Sequence, residues 1–406
     1  MNPTIEQYQR EFAQFFGASA HEIRRLEQYP GRANGISRAE WAFAFWKGRV
    51  GLYALLRALE VGQGDEVILP GYTCVMNVNP IKYVGARPVY VDIEPDTFNI
   101  DANLLEEEIT SRTKVIIAQH TYGYPCDMDA IMEIAGRHGV CVIEDCCLAL
   151  GSKYKGRLAG TLGPAGYFSF QWNKPYTTGL GGMVITADKD LAGRIESLQA
   201  EEMCCPSACE VFMLSMQLLT YRLLVYPGTT ARAQSLFRYL TRKGAVVGSS
   251  DTKEFEPARA GDFFKGSSVM QARSGLRQLR KIQDNISHRV SMARFYDELL
   301  ERKGFKSRNY DKAITEPVMV RYPLRIAEKQ EALAQAAKAG IELGSWFECP
   351  LHPIETPLAS YDYKIGMCPE AERASREVVN LPLHPRANAR TVEKTVNFIT
   401  RFTQAG

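Results

Sequence analysis

The chain has 406 residues, of which 45% are hydrophobic and 23% are charged, and its formal net charge is +3. A chain of this length can bury a large core, and it predicts two packed lobes or one large domain with a smaller appendage. The composition excludes a disordered, collagen-like or coiled-coil protein, and the weak charge without a long Lys/Arg run argues against nucleic-acid binding.

The amino-terminal segment lacks the pattern of a secretory signal. It reads MNPTIEQYQREFAQFF, with acidic residues early and no apolar run behind a basic start. We therefore expect a cytoplasmic protein. The ten cysteines are scattered, which favours free thiols in a reducing compartment over a disulfide framework. Cys204, Cys205 and Cys209 form one cluster, but three thiols without a nearby histidine favour a plain loop, so we expect no metal centre.

Residues 48–200 alternate apolar runs with amphipathic stretches, which is the pattern of β-α-β units. The run VCVIED is almost wholly apolar and predicts a strand in a sheet that is covered on both faces. We expect a mixed, mostly parallel sheet with helices against it. Predicted helices cover 48–62 and 127–139, and a further helix precedes residue 114. The predicted strands are 66–70, 86–93, 114–120, 140–145, 166–170 and 182–186.

The segment 208–226 is more apolar than a surface helix needs to be. Glu210, Gln217 and Arg222 interrupt it, so it is a poor candidate for a membrane span. Together with the basic amphipathic stretch that follows, it forms an insertion at about 203–245. We interpret this insertion as a helical hairpin buried in a subunit interface. The alternative is a surface that contacts a membrane or a partner protein, or covers an apolar substrate.

The remainder of the chain predicts a smaller α/β lobe. It contains a helix, SSVMQARSGLRQLRKIQDN, strands near VMVRYPLRI and a final helix near ARTVEKTVNFITRF. We place a large domain at 1–255, including the insertion, and a small carboxy-terminal domain at 256–406.

Two residues in this pattern suit one chemistry. Asp145 ends the strand VCVIED, where a desolvated carboxylate needs a cationic partner. Lys174 lies in a turn-rich loop and is the only lysine between Lys155 and Lys189. An amine that attacks an aldehyde and a carboxylate that pairs with a pyridinium nitrogen are what an enzyme dependent on pyridoxal 5′-phosphate (PLP) requires. Taken singly, a strand-terminal Asp is usually a turn former and a loop lysine is usually solvated, so the combination carries the hypothesis.

The combination resembles the DegT/StrS family of PLP-dependent aminotransferases, best known for amination of nucleotide-linked sugars. The motifs are VIED with a following glycine, FSF followed by Lys174, and a Gly-rich turn before a strand. The stretch GQGDEVILPGYTCVMNVNPIKYVGARPVYVDIEPDTFNID and the stretch AERASREVVNLPLHP also resemble the family. The likeness is strong over 45–200 and looser over 265–406. It implies PLP fold type I, like aspartate aminotransferase, and a homodimer with active sites at the subunit interface.

The resemblance also implies residue roles. Lys174 would form the Schiff base with PLP and carry protons, and Asp145 would pair with the pyridinium nitrogen. Ser169 and the helix that begins near Gly48 would bind the phosphate. Other positions that the resemblance places at the cofactor are Arg49, Val50, Tyr72, Cys74 and His120.

Several of these positions depart from the family pattern. Arg49 stands where the family has Thr, and it either contacts the phosphate or points to solvent. The aromatic residue that stacks on the pyridine ring is Cys74 here, which leaves Tyr72 as the candidate substitute. Leu148 replaces a Gln or His near the cofactor's phenolic oxygen. His120 lies in AQHTYG at a position that lines the family's active site, and it is either part of the site or a satisfied core histidine.

A second group of departures lies before the helix of the small lobe. Phe264 and Gly266 stand where the family has Asn and Arg, and that Asn reaches the neighbouring subunit's phosphate. Lys265 and Arg273 are nearby cations that could compensate. None of the departures touches Lys174.

We therefore predict amino transfer from an amino acid, glutamate by family habit, to a carbonyl acceptor. A nucleotide-linked keto sugar is the acceptor that the resemblance implies. The departures keep two alternatives open. One is a PLP enzyme of another reaction type, such as elimination, decarboxylation or condensation, and the other is a non-catalytic regulatory protein that keeps the fold.

Overall fold

The structure is a computed structural model, and it describes residues 2–17, 40–172, 174–224, 259–306, 308–353 and 358–404. Its strands were numbered in chain order. They are β1 (Trp41–Phe45), β2 (Glu66–Pro70), β3 (Thr73–Cys74), β4 (Arg87–Val91), β5 (Thr113–Gln119), β6 (Cys141–Asp145), β7 (Lys153–Tyr154), β8 (Arg157–Leu158), β9 (Ala165–Ser169), β10 (Gly182–Thr186), β11 (Thr315–Glu316), β12 (Tyr322–Arg325), β13 (Leu351–His352) and β14 (Val378–Leu381).

Seven strands form one sheet in the order β1-β10-β9-β6-β5-β2-β4. Within this sheet of described residues, β10 runs antiparallel to its neighbours β1 and β9, and the other pairings are parallel. The prediction of a mixed, mostly parallel sheet is confirmed, and so is each strand predicted between residues 66 and 186, to within three residues at either end.

The helices pack on this sheet and form most of the second lobe. They are α1 (Pro3–Phe15), α2 (Gly48–Ala58), α3 (Val75–Tyr83), α4 (Ala102–Leu105), α5 (Met128–His138), α6 (Lys189–Glu202), α7 (Ala208–Leu224), α8 (Val269–Leu279), α9 (Ile282–Arg302), α10 (Lys329–Ala339), α11 (Pro369–Glu377) and α12 (Ala389–Ile399). Local signals fix several of the helix starts. Asp127 and Asp188 accept hydrogen bonds from main-chain N–H groups of α5 and α6, and Ser268 forms a capping box with Gln271 on α8.

Both faces of the sheet are buried, as the apolar strands predict. Along β5, Val115 and Ile117 belong to one hydrophobic cluster, whereas Ile116 and Ala118 belong to another on the opposite face. The alternation follows from the two-residue period of a strand. A sheet buried in this way exposes functional groups only at its edges and strand ends.

The second lobe is built on the antiparallel pair β12–β14. It is joined to the large sheet by more than the chain connection, because β13 pairs in parallel with β3, which follows strand β2 of that sheet. Tyr296, Tyr322 and Leu351 belong to the same hydrophobic cluster as residues of α2 and β5. Because β13 pairs with β3, the segment that precedes β13 lies against the large lobe.

Three expectations need adjustment. The helix expected before residue 114 is one α-helical turn, α4, followed by a 3-10 turn at Glu106–Glu108. The helix expected from residue 267 is interrupted, so that α8 and α9 are separate. The first half of the predicted hairpin is the helix α7, and its second half lies outside the described residues. The domain boundary at 255/256 stays a prediction. In the described part of the chain, no helix is long and apolar enough to cross a membrane.

Candidate active site

Polar residues collect at one edge of the sheet, where parallel strands end. Gln119, Asp145 and Ser169 are the last residues of β5, β6 and β9. The antiparallel strand β10 begins at the same edge, because Gly182 pairs with Ser169. In open α/β sheets this carboxyl edge is the usual place for ligands.

Asp145 is 3% exposed and accepts two hydrogen bonds. The main-chain N–H of Cys147 donates to its Oδ1 at 2.9 Å, and Asn77 Nδ2 donates to its Oδ2 at 2.6 Å. A carboxylate can accept about four hydrogen bonds, so each oxygen keeps a further lone pair. The carboxylate is thus held in place by neutral donors and can accept another hydrogen bond from a protonated ring nitrogen.

Asn77 links this carboxylate to a wider buried network. Its Oδ1 accepts a hydrogen bond from Tyr167 Oη at 3.0 Å, and its Nδ2 also lies 3.1 Å from Thr73 Oγ1 and 3.2 Å from Gln119 Oε1. Burial, with Asp145 adding to it, raises the pKa of Tyr167 far above its ordinary value, so this hydroxyl stays protonated and donates. Sequence reasoning missed Asn77, although a polar residue in the apolar run VMNVNPI just after β3 was a usable signal.

Lys174 lies in the loop between β9 and β10. Its main-chain N–H donates to Gln171 O at 3.0 Å, and its Nζ lies 5.4 Å from the centroid of the Trp346 ring. The side chain is half-buried, unlike Asp145. Trp346, from the segment before β13, is a second residue that sequence reasoning missed. It brings the small lobe to the amine, and nothing in its local sequence signals that contact.

The charges of Lys174 and Asp145 both act on two thiols. Burial raises the pKa of Cys147 far above its ordinary value, with Asp145 raising it further and Lys174 lowering it. Burial also raises the pKa of Cys74, and the same two charged groups act on that thiol. Both cysteines are half-buried. Cys74, at the position where the family pattern has the stacking aromatic, therefore lies within the range of the charges of both the amine and the carboxylate.

The start of α2 packs against the end of β9. A Cβ atom on Gly48 would lie 2.8 Å from Ser169 Cβ, and one on Gly182 would lie 2.5 Å from Gly48 Cα, so only glycine permits this approach. No side chain caps the helix at Lys47, and the N–H of Val50 donates to Lys47 O. The helix start thus offers a positive dipole end beside the Ser169 hydroxyl, an arrangement that suits an anion such as phosphate.

Arg49 does not point to solvent. Its side chain is 4% exposed and contacts the sulfur of Met76, and its charge lowers the pKa of Cys74 against the effect of burial. Of the two alternatives for this residue, the solvent-facing one is wrong. The guanidinium lies on the cleft side of α2, near Cys74.

Tyr72 and His120 occupy other places. The Tyr72 side chain is fully buried, packed 5.0 Å from the Phe347 ring centroid, with its hydroxyl bonded to Tyr122. A ring with no exposed face cannot stack on a cofactor. His120 is also fully buried, and both of its ring nitrogens are engaged, by Glu144 and by the N–H of Cys126. His120 is therefore a satisfied core histidine, the second of its two alternatives. The structure places neither Tyr72 nor His120 at an exposed surface where a cofactor could lie.

The insertion contacts the lysine loop. A Cβ on Gly179 would lie 3.0 Å from Leu214 and 3.1 Å from Leu218, both on α7. Farther along α7, the Tyr221 ring lies 5.5 Å from the ring of Trp172, two residues before Lys174. Lys265, one of the cations considered as a compensating group, instead forms ion pairs with Glu210 on α7 and with Asp262.

Comparison with known proteins identifies the family that the chain resembles. A model of the DegT/DnrJ/EryC1/StrS aminotransferase family matches residues 3–208 and 237–400. Among similar proteins, GDP-perosamine synthase of Caulobacter vibrioides is 32% identical over 363 residues, which are 87% of this chain and 84% of that protein. L-glutamine:2-deoxy-scyllo-inosose aminotransferase of Streptomyces paromomycinus is 29% identical over 385 residues, 93% of this chain and 81% of that protein. The solved structure of the aminotransferase TlmJ from Streptoalloteichus hindustanus aligns with a TM-score of 0.72 at 26% identity, covering 98% of this chain and 90% of that one. The resemblance and the fold class expected from the sequence are confirmed.

Proposed function

Because this chain belongs to the DegT/DnrJ/EryC1/StrS aminotransferase family, we propose that it uses PLP to move an amino group from an amino acid to a nucleotide-linked keto sugar. The observation that carries the proposal is the pair formed by the buried carboxylate of Asp145, at the end of β6, and the amine of Lys174, in the loop that follows the adjacent strand β9. An amine and a buried carboxylate at neighbouring strand ends are what the cofactor ring requires.

The residues present fit the cofactor. The uncapped start of α2 beside Ser169 suits its phosphate, with Arg49 as a cation nearby. Asp145 suits the ring nitrogen, because it is fixed by Asn77 and the Cys147 N–H and keeps accepting capacity. Lys174 is half-buried and can reach both the cleft and solvent. These features support Lys174, Asp145, Ser169 and Gly48 as the cofactor-binding set.

When bound, PLP supplies an electron sink for the bonds of the substrate carbon. The Asp145 carboxylate holds a proton on the ring nitrogen by accepting its hydrogen bond, which a desolvated anion does strongly. Lys174 Nζ takes the proton from the α-carbon of the donor and, in the second half-reaction, gives one to the carbon that becomes the product's amine carbon. The ring of Trp346 lies 5.4 Å from this amine and reduces the access of water to it.

The acceptor is proposed from the relatives. GDP-perosamine synthase, by its name, makes an amino sugar linked to a nucleoside diphosphate, and this supports an acceptor of the same class here. The name of the second relative gives L-glutamine as its donor, so glutamine is a donor to test beside glutamate. Other PLP reaction types and a non-catalytic protein are not favoured, because the relatives named above are aminotransferases or make amino sugars. A cytoplasmic homodimer remains the expected form.

The test is an absorbance spectrum of the wild type, Lys174→Ala and the exposed-site control Lys189→Ala, each loaded with PLP. We expect a band at roughly 410–430 nm in the wild type and in Lys189→Ala that borohydride fixes to the protein, and that falls when glutamate or glutamine is added. Lys174→Ala should hold PLP without a covalent link. A fixed band in Lys174→Ala, or none in the wild type, would refute the assignment of the lysine. A wild-type band that neither donor changes would refute amino transfer from these donors.

A further inference from the structure

The side chain of Arg321 lies in the wall of the same cleft. Its Cζ is 5.1 Å from the centroid of the Trp346 ring, and Lys174 Nζ is 5.4 Å from that centroid. One indole ring therefore contacts both the reacting amine and a guanidinium. Arg321 precedes β12 and belongs to the small lobe.

The position of this arginine is prepared by its surroundings. A Cβ on Gly344 would collide with Arg321 Nη1, so the glycine leaves the room that the guanidinium fills. The main chain of Gly344 pairs with Asn380 in both directions, and the Asn380 side chain bonds the N–H and the carbonyl of Trp346. The indole and the guanidinium are thus held by a fixed main-chain segment.

Among the residues that the structure describes, none forms a salt bridge with Arg321. Elsewhere in the small lobe Arg325 pairs with Glu370 and Glu377. Burial lowers the pKa of Arg321, and the negative charge of Glu342 opposes this effect. The Glu342 carboxylate forms its hydrogen bond with His384. A partly desolvated cation is costly unless an anion accompanies it. Its other charged or titratable neighbours are Arg289, which is a cation, and the hydroxyls of Tyr122 and Tyr221.

We infer that Arg321 binds an oxyanion of a substrate while that substrate's reacting carbon lies at Lys174. A guanidinium donates two parallel hydrogen bonds to a carboxylate or to a phosphate. Two sources of this chemistry exist in the proposed reaction, on which the inference rests: the α-carboxylate of the amino donor and the phosphates of the acceptor. The shared contact with Trp346 places the cation and the amine at one indole ring, within the reach of a single substrate.

The experiment compares wild type, Arg321→Gln, Arg321→Lys and a control, Arg376→Gln, in which an exposed arginine of α11 is changed. Each protein loaded with PLP is titrated with glutamate. Each protein loaded with pyridoxamine 5′-phosphate is titrated with a GDP-linked 4-keto sugar. Absorbance follows a single turnover in both titrations. Glutarate and pyrophosphate are titrated separately against tryptophan fluorescence, which reads binding without turnover. Circular dichroism checks that every variant is folded.

We expect Arg321→Gln to raise the half-saturating concentration of one anionic substrate about 10- to 100-fold, because a charge-assisted bidentate contact is lost. The value for Arg321→Lys should lie between those of Arg321→Gln and the wild type. The rate at saturation should change little. A change for glutamate and glutarate assigns the carboxylate, and a change for the sugar and pyrophosphate assigns the phosphate. Unchanged titrations in a folded Arg321→Gln protein would overturn the inference. A wild type that binds glutarate through Arg321 but reacts with neither glutamate nor glutamine would leave the oxyanion site standing and refute only the proposed amino transfer.

Discussion

Replacing Asn77 by alanine tests whether the neutral network around Asp145 sets the strength of cofactor binding. The substitution removes the amide nitrogen that donates to Asp145 Oδ2 at 2.6 Å. It also removes the amide oxygen that accepts a hydrogen bond from the Tyr167 hydroxyl. A hydrogen bond to a charged group contributes about 1.5–3 kcal/mol, and a buried hydroxyl left unpaired costs about 1–3 kcal/mol. We expect the free energy of unfolding of the apoprotein to fall by about 1.5–3 kcal/mol if Tyr167 finds a new acceptor, and by about 2.5–6 kcal/mol if it does not.

Cofactor binding should weaken as well, because a carboxylate free to rotate holds the ring nitrogen less well. If about 1.4–2.8 kcal/mol of positioning is lost, the Kd for PLP rises roughly 10- to 100-fold. Spectral titration of the apoprotein with PLP measures this, and the band position reports the protonation of the ring nitrogen.

The matched control is Asn99→Ala. Asn99 is also buried and bonds the carbonyls of Tyr124 and Pro125 and the N–H of Thr121, without contact to Asp145. It should lose stability by a similar amount and keep the affinity and spectrum of the wild type. Equal Kd values and spectra for the two folded variants would refute the idea that Asn77 acts through the carboxylate.

Two further predictions concern pH. Hydrogen bonds from Thr110, Arg87 and Arg112 outweigh the opposing effect of burial and hold the pKa of Glu66 at about 2, against 4.5 ordinarily. Its stabilising effect should be complete above pH 4.5 and disappear as the pH falls toward 2. In urea titrations, Glu66→Gln should therefore lower the unfolding free energy by about 1–3 kcal/mol at pH 7 and by much less at pH 2.5. An equal loss of unfolding free energy at both pH values would contradict this. Burial lowers the pKa of His352 from 6.5 to about 4, so the wild type should lose stability as the pH falls from 6.5 to 4 while His352→Asn loses less. Parallel Tm curves of the two proteins over that range would show that His352 does not contribute.

The fold was largely predictable because its signals are local. Buried parallel strands have continuous apolar runs, and their lengths and spacing identified the sheet and its carboxyl edge. Asp145 was found because it ends such a strand, Lys174 because it stands alone in a loop between two of them, and Ser169 because the motif FSF resembles the family's phosphate-binding segment. The positions of Tyr72 and His120 were open to two interpretations, since a residue near a strand end faces either the cleft or the core, and only packing against Phe347 or Glu144 decides.

The rest of the site depends on contacts between residues far apart in the chain. Asn77 is 68 residues from Asp145, and the sequence around it gives no register for that contact. Trp346 and Arg321 reach the lysine only because β13 pairs with β3 and because Asn380 holds the segment before it. Such pairing is set by the packing of two lobes and leaves no periodic pattern in the sequence.

The way in which the large lobe holds Trp346 affects how the cleft wall can evolve. Tyr122 donates to the carbonyl of Trp346, and Tyr72 accepts from the N–H of Phe347. Both tyrosines contact main-chain atoms, which are the same for any residue at those positions. A mutation that changes the indole can therefore reshape the wall facing an acceptor while the course of the backbone and the cofactor cup stay as they are. Single substitutions at such a position can change which substrates the fold accepts without changing its backbone.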